Sequence, residues 1–163
     1  MQLTFTHVTE ENSELFHTLM AEYARELDEN QNRSTDPVML HRWTDSVISK
    51  AKGDAFCLLK LCYAEEQPVG FLLAKIDRPD DRGYIRAGHG YIIEFYVKPE
   101  YRRNGYGRAM LAHIERFYAK NGVAQMYLTA DPVTGKPFWS AMGFIGTGEY
   151  SPDNGQEIFE KSL

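Results

Sequence analysis

Apolar positions along this chain recur at two spacings, and the changes of spacing mark the elements. Leu3 to Val8 alternates and predicts a first strand. From Glu14 to Asp28 the residues Leu15, Leu19, Tyr23 and Leu27 recur every four, which predicts a helix with one buried stripe. Asn30 to Thr35 is a polar linker. Asp36-Pro37 then opens a second helix, with a capping carboxylate followed by a proline suited to the first turn. Leu40, Trp43 and Val47 mark its apolar face, and it ends near Gly53. Ala55 to Tyr63 and Val69 to Ile76 are two strong strand signals around the tight connection Glu65-Glu66-Gln67-Pro68. Gly70, inside the second of them, marks a bulge or a packing point. Asp77 to Gly90 is a long polar loop with one proline and three glycines, and His89 stands at its end.

The next stretch organises the rest. Tyr91 to Val97 is a strand dense in β-branched and aromatic residues, followed by a Lys98-Pro99-Glu100 turn. The loop Arg102-Arg103-Asn104-Gly105-Tyr106-Gly107 leads into a helix in which Met110, Ile114 and Phe117 share a face, with Leu111 and Tyr118 beside them. A helix start presents unpaired N–H groups and the positive end of the dipole, and so attracts anions. Gly105 and Gly107 let a bulky phosphate approach the backbone, while Arg102, Arg103 and Arg108 add positive charge. The order strand, basic glycine loop, helix therefore predicts a cradle for a phosphorylated cofactor. It is not a P-loop, because no Lys-Ser/Thr follows at the required spacing, and Met110 stands where a dinucleotide fingerprint needs its third glycine.

The remainder is short elements. Asn121-Gly122 stops the helix, Gln125 to Ala130 is a strand, and Asp131-Pro132 turns the chain. A short helix spans Lys136 to Met142. Phe144 to Gly148 and Gln156 to Lys161 form a closing pair around the polar loop Glu149 to Gly155.

The pattern Arg102-x-x-Gly105-x-Gly107 resembles the pyrophosphate loop of the GCN5-related N-acetyltransferases (GNAT), Arg/Gln-x-x-Gly-x-Gly/Ala. The approach Phe95-Tyr96-Val97-Lys98-Pro99-Glu100-Tyr101 is also similar to that family's run into the loop. The element order β-α-α-β-β-β-α-β-α-β-β matches too. The resemblance implies one α/β (α+β) domain over 1–163 with the acyl-CoA N-acyltransferase fold. Its sheet would be mixed, largely antiparallel and seven-stranded, with a central splay and about four flanking helices. It implies acetyl-CoA as co-substrate, with the pantetheine arm on the backbone of Phe95 and Val97. The pyrophosphate would lie on Arg102, Arg103, Asn104, Gly105, Tyr106, Gly107 and Arg108. It implies direct acetyl transfer, without metal, to a primary amine on a small molecule, a peptide or an aminoglycoside-like polyamine. The alternative is a non-catalytic acyl-CoA-binding regulator.

Direct transfer needs a base, because an amine with a pKa of ~10.4 is neutral in only about one molecule in 2500 at pH 7. Glu94 is the only carboxylate in the central strand and is the leading candidate. Tyr91 occupies another position where the family places such a group. The departing thiolate also needs a proton, and here the chain departs from the family. Trp139 stands four residues before Gly143-Phe144, where a tyrosine is usual, and indole donates a hydrogen bond but no proton near neutrality. Ser140, Tyr150, Tyr127 or water remain as donors. Asp131 takes the place of a family asparagine, with one extra residue in the spacing, and Lys136 is placed to meet a CoA phosphate.

Composition narrows the alternatives. At 163 residues, 43% hydrophobic and 25% charged, the chain matches an ordinary globular domain. A net charge of −5 argues against nucleic acid as partner. No run approaches eighteen apolar residues and no leader pattern opens the chain, which predicts a cytoplasmic protein with no membrane partner. Cys57 and Cys62 are five apart in one strand and point to opposite faces, so a disulfide between them is not expected, and no Cys/His cluster suggests zinc. Neither cysteine has a neighbouring histidine to make it a nucleophile. His17 and His41 are expected on helix surfaces. Glu22, Glu26, Asp28 and Glu29 read as a solvated helix face, with attraction of a cationic acceptor as the alternative, and Arg33 as a group able to meet an acid on the acceptor; the family resemblance implies a homodimer surface on the closing strands and leaves the oligomeric state open.

Overall fold

A computed structural model describes residues 2–163. Each predicted element is present. In chain order they are β1 (Leu3–His7), α1 (Ser13–Gln31), α2 (Pro37–Ala51), β2 (Cys57–Ala64), β3 (Gln67–Ile76) and β4 (Gly90–Val97). After a 3-10 turn at Pro99–Tyr101 come α3 (Tyr106–Lys120), β5 (Gln125–Ala130), α4 (Gly135–Ala141), β6 (Ile145–Tyr150) and β7 (Glu157–Ser162). The strands form one mixed seven-stranded sheet in the order β1-β2-β3-β4-β5-β7-β6. β1 runs antiparallel to β2, β7 lies antiparallel between β5 and β6, and β4 starts parallel to β5 at Gly90 and Tyr91. By internal contacts the chain forms two compact units. One holds the chain through Leu73 together with Glu94–Met110, the other Ala74–Ile93 together with Leu111–Leu163.

In the first unit the buried stripe of α1 is Phe16, Leu19 and Met20, with Tyr23 half-buried below them. This stripe is rotated from the expected one: Leu15 and Leu27 are only half-buried. The reason lies in the rings. Phe16 meets Phe71 of β3 edge-on at 5.2 Å, and Tyr23 meets the same ring at 5.6 Å. Two aromatic contacts outweigh a simple four-residue spacing. α2 differs similarly, since Trp43 is 40% exposed and Thr44 is buried, its hydroxyl bonded to the Leu40 carbonyl at 2.8 Å. The expected start holds: the Asp36 carboxylate accepts from Val38 N–H at 3.0 Å and Pro37 follows.

α1 runs three residues past Asp28 and ends where Asn32 turns left-handed at φ 51°. Asp28 then fastens the linker. Its carboxylate accepts from the Thr35 amide at 2.9 Å, the Thr35 hydroxyl at 2.7 Å and Arg33 Nε at 3.1 Å. Although partial burial opposes it, these bonds and the Arg33 charge hold the Asp28 carboxyl below the usual range.

Gly70 is a contact point. A Cβ there would lie 1.9 Å from the Tyr96 carbonyl oxygen, so only glycine lets β3 and β4 approach at this level. One residue earlier, the Val69 carbonyl accepts from Lys98 N–H at 2.8 Å and fixes the end of β4.

In the second unit the α3 residues Leu111, Ile114 and Tyr118 are buried, and the Tyr118 ring fills the space beside Gly90, where a Cβ would come within 2.4 Å of it. The polar segment 78–89 is strapped down by Asp77. That residue exchanges backbone bonds with Gly88 and His89, and its carboxylate accepts from Arg86 N–H and the Tyr127 hydroxyl while lying 3.2 Å from Lys75 Nζ. Arg86 carries the strap on to Glu160 of β7 at 2.7 Å. β6 is almost wholly exposed and carries an irregularity between Gly146 and Tyr150. Neither cysteine is in a disulfide, and burial pushes the Cys62 thiol far up, which is the opposite of a nucleophile's setting.

Candidate active site

The glycine loop begins where β4 ends. After the 3-10 turn, Arg103 adopts a left-handed φ of 64° and Gly105 one of 82°. The Asn104 side-chain amide donates to the carbonyls of Tyr101 and Arg102, both at 3.1 Å, and braces the turn from inside. Gly105 is the last residue before α3, and its carbonyl accepts the first helical bond, from Ala109 N–H at 3.1 Å. The amides of Tyr106, Gly107 and Arg108 therefore belong to the first turn, where a helix offers no carbonyl of its own. A Cβ at Gly105 would meet nothing, so the face of the loop is open. Arg103 and Arg108 are exposed beside it. Open backbone, a helix dipole and two exposed cations fit a diphosphate.

Arg102 is placed otherwise. Its Nε donates to the Val97 carbonyl at 2.8 Å, and its Nη2 reaches both Glu26 carboxylate oxygens at 2.7 and 2.9 Å. The guanidinium thus bridges the end of β4 and the side of α1, and uses the Val97 carbonyl in doing so. Glu26 is accordingly no solvated charge. With Asp28 engaged as well, two of the four acidic residues clustered in the second half of α1 have structural partners, which their spacing alone did not show.

Glu94 lies four residues after the start of β4, half-buried as a residue but with a strongly desolvated carboxyl. Burial pushes its pKa up to about 7; a hydrogen bond from the Tyr23 hydroxyl and the nearby Arg33 charge pull the other way. The structure thus brings together Glu94, Tyr23 of α1 and Arg33 of the α1–α2 linker. Sequence reasoning missed Tyr23, because it read as one more apolar position of the α1 stripe. A tyrosine among leucines is the signal that was available, since a buried hydroxyl needs a partner. Tyr96, also candidate packing, sits beside Tyr23 at 5.4 Å, and burial together with Glu22 and Glu26 pushes its hydroxyl up to about 12.

The other candidates lie in the second unit and are occupied there. Tyr91 stacks on Tyr127 at 4.7 Å with rings nearly parallel. Trp139 is buried edge-on between Phe138 and Phe144, at 4.8 and 5.1 Å. The Asp131 carboxylate accepts from the amide and hydroxyl of Thr134, both at 2.8 Å, and its carbonyl from Lys136 N–H, so it shapes the entry to α4. Lys136 Nζ pairs with Glu157 at 3.0 Å. His89 packs against Tyr127 with its Nδ1 buried. In the first unit, the backbone of Phe95 stays in β4, half-buried.

A mixed sheet of this order, with a basic glycine loop between its central strand and the following helix, defines the acyl-CoA N-acyltransferase class. The model of the acetyltransferase (GNAT) family matches residues 14–144, and the chain belongs to that family. It is an acetyl-CoA-dependent N-acetyltransferase. Among solved structures it is similar to the PaiA N-acetyltransferase of Thermoplasma acidophilum in complex with coenzyme A (TM-score 0.74, 18% identity, all of both chains). An acetyltransferase from Thermus thermophilus gives 0.72 at 20% identity, covering 100% of this chain and 98% of that one. Arabidopsis thaliana Naa50, in complex with the bisubstrate analogue CoA-Ac-MVNAL, gives 0.63 at 18% over all of both chains. At these identities the likeness is one of fold. No curated protein matches the sequence. No helix among the described residues is long and apolar enough to cross a membrane.

Proposed function

We propose that the enzyme moves the acetyl group of acetyl-CoA directly onto a primary amine of a small molecule or peptide, with Glu94 as the base. The observation that supports this most is the Glu94 carboxyl itself. It is a lone acid inside the central strand, held by Tyr23 and pushed up to about 7. A base poised near neutrality combines a large ionised fraction with useful proton affinity.

Bound acetyl-CoA supplies the activated carbonyl and the thiol leaving group. The residues of the chain do the rest. First-turn amides of α3 with Arg103 and Arg108 hold the diphosphate, while Arg102, through Glu26 and Val97, keeps the loop in shape. The strand from Glu94 to Val97 rises through three residue steps, about 10 Å, and gives the pantetheine arm a backbone to follow. The Tyr23 hydroxyl steadies the Glu94 carboxylate, which takes the proton that keeps the amine unreactive and so becomes the neutral acid; the freed nitrogen bonds to the acetyl carbon as the C–S bond breaks, and the second proton that the nitrogen sheds passes through water to the departing CoA thiolate. Tyr91 and Trp139, packed against other rings, serve as packing groups rather than as proton carriers. Cysteines outside any disulfide, Cys57 and Cys62, suit a reducing cytoplasm.

The test is a pH–rate profile. The native enzyme is expected to show kcat/KM for the amine rising through about pH 7. Glu94→Gln should lose at least about 100-fold at pH 8 and lose that rising limb, while CoA affinity stays within about twofold. An unchanged limb in the variant removes Glu94 as the base.

A further inference from the structure

The helix hairpin of the first unit carries a second constellation, remote in sequence and unrelated to the glycine loop. His17 of α1 and His41 of α2 stack ring on ring, with centroids 4.2 Å apart and planes inclined by 21°. Asp45, one turn beyond His41 on the same face of α2, points both carboxylate oxygens at them. Oδ1 lies 2.7 Å from His17 Nε2, and Oδ2 lies 3.5 Å from His41 Nε2. One nitrogen from each ring and one carboxylate oxygen all fall within 4.8 Å of one another.

We propose that His17, His41 and Asp45 form a site for a borderline divalent transition-metal ion, with zinc as the physiological case. Two imidazoles and one carboxylate are the donor set that suits zinc; magnesium and calcium prefer sites made of oxygen alone. A tetrahedral zinc holds its ligands ~2.1 Å away, and so about 3.4 Å from one another. The present separations bracket that value. The closest pair has to open by less than about 1 Å, which small χ rotations accomplish. Residue spacing supports the same geometry: 41 and 45 are four apart on a helix, the spacing that puts two ligands on one face.

Accessibility also fits. His17 is 20% exposed and anchored by the carboxylate, whereas His41 and Asp45 are more than 60% exposed. An ion can therefore enter from solvent and keep its fourth position for water, an arrangement of three protein ligands with one open place. Simple ion pairing leaves the arrangement half explained, since a single carboxylate then serves two histidines that lie face to face. A divalent ion satisfies all three groups at once.

Such an ion joins α1 to α2. α1 is also the helix that carries Tyr23 and Glu26, less than three turns beyond His17. Zinc would thus stiffen the element that positions the base and the loop, without touching either. The inference does not rest on the role given to Glu94.

Stripped of metal by chelator, the native chain should take up one zinc ion in a calorimetric titration. His41→Ala and Asp45→Ala should each weaken that binding at least about tenfold. Both residues are exposed, so neither change threatens the fold. Co²⁺ should give visible d–d bands with the native chain that disappear with Asp45→Ala, and Mg²⁺ should produce no heat of binding. Failure of the native chain to bind zinc overturns the site. Native affinity in both variants overturns it equally, because the ligands, Cys57 among them, would then lie elsewhere.

Discussion

Tyr23 and Glu94 are coupled, and the coupling has a sign. The Tyr23 hydroxyl donates to the carboxylate and so favours its charged form against the burial that opposes it. Tyr23→Phe removes the donor and should move the rising limb of kcat/KM upward by about one pH unit, leaving the plateau above it nearly intact. A merely structural role for Tyr23 would lower the plateau without moving the limb. Stability should show the opposite face of the same burial. Glu94 ionises near 4.5 in the unfolded chain and at about 7 in the folded one. Its contribution to folding is fully present below about pH 4.5 and is lost as pH rises to 7, by about 3 kcal/mol at most. Glu94→Gln should therefore remove that slope and melt several degrees above the native chain at pH 8, which thermal unfolding across pH 4.5 to 8 will check. A buried carboxyl poised near neutrality thus comes at the expense of fold stability. Arg103 illustrates a smaller strain of the same kind, a left-handed non-glycine residue at the cradle, worth about 1–2 kcal/mol.

Among the elements, the β3–β4 pair and the start of α3 govern whether the cradle exists. Gly70→Ala places a methyl 1.9 Å from the Tyr96 carbonyl oxygen, and backbone must move to admit it. The expected loss is about 3 kcal/mol or more, read from denaturant unfolding, with weaker CoA binding in the same variant because the end of β4 hangs on Val69. Gly107→Trp acts on the ligand instead. It lies half-buried in the first turn of α3, where an indole fills the approach to the amides. CoA affinity should fall by at least about 100-fold while the melting temperature changes little. Unaltered CoA affinity in a folded Gly107→Trp protein displaces the cradle from this turn. The two variants differ in what else they disturb, so fold and ligand effects separate.

Over the whole molecule, what could be read from the chain alone followed from local physics. Strands, helices and the glycine loop announce themselves through spacing, proline and glycine, all of which act over a few residues. The sheet type of the fold, mixed and seven-stranded, entered by resemblance, on the loop and its approach; the order of its strands came from the structure. The partners of individual side chains did not come with it. Arg102 reads as part of the glycine loop alone, and nothing in its spacing announces that Glu26, 76 residues away, holds it. Tyr23 reads as core until its hydroxyl meets Glu94. His17 and His41 read as unrelated surface residues until the helix turn brings their rings together. Each of these is a contact across a long stretch of chain, and the periodicity of either element carries no trace of it.

The fork that Arg102 makes has an evolutionary reading. Its guanidinium satisfies one carbonyl and both oxygens of one carboxylate, three bonds that neither lysine nor glutamine can reproduce. A homologue with glutamine at this place would leave the acid of the first helix stranded and half-buried. Across related sequences the two positions should therefore change together: where the arginine is replaced, the glutamate should be replaced as well.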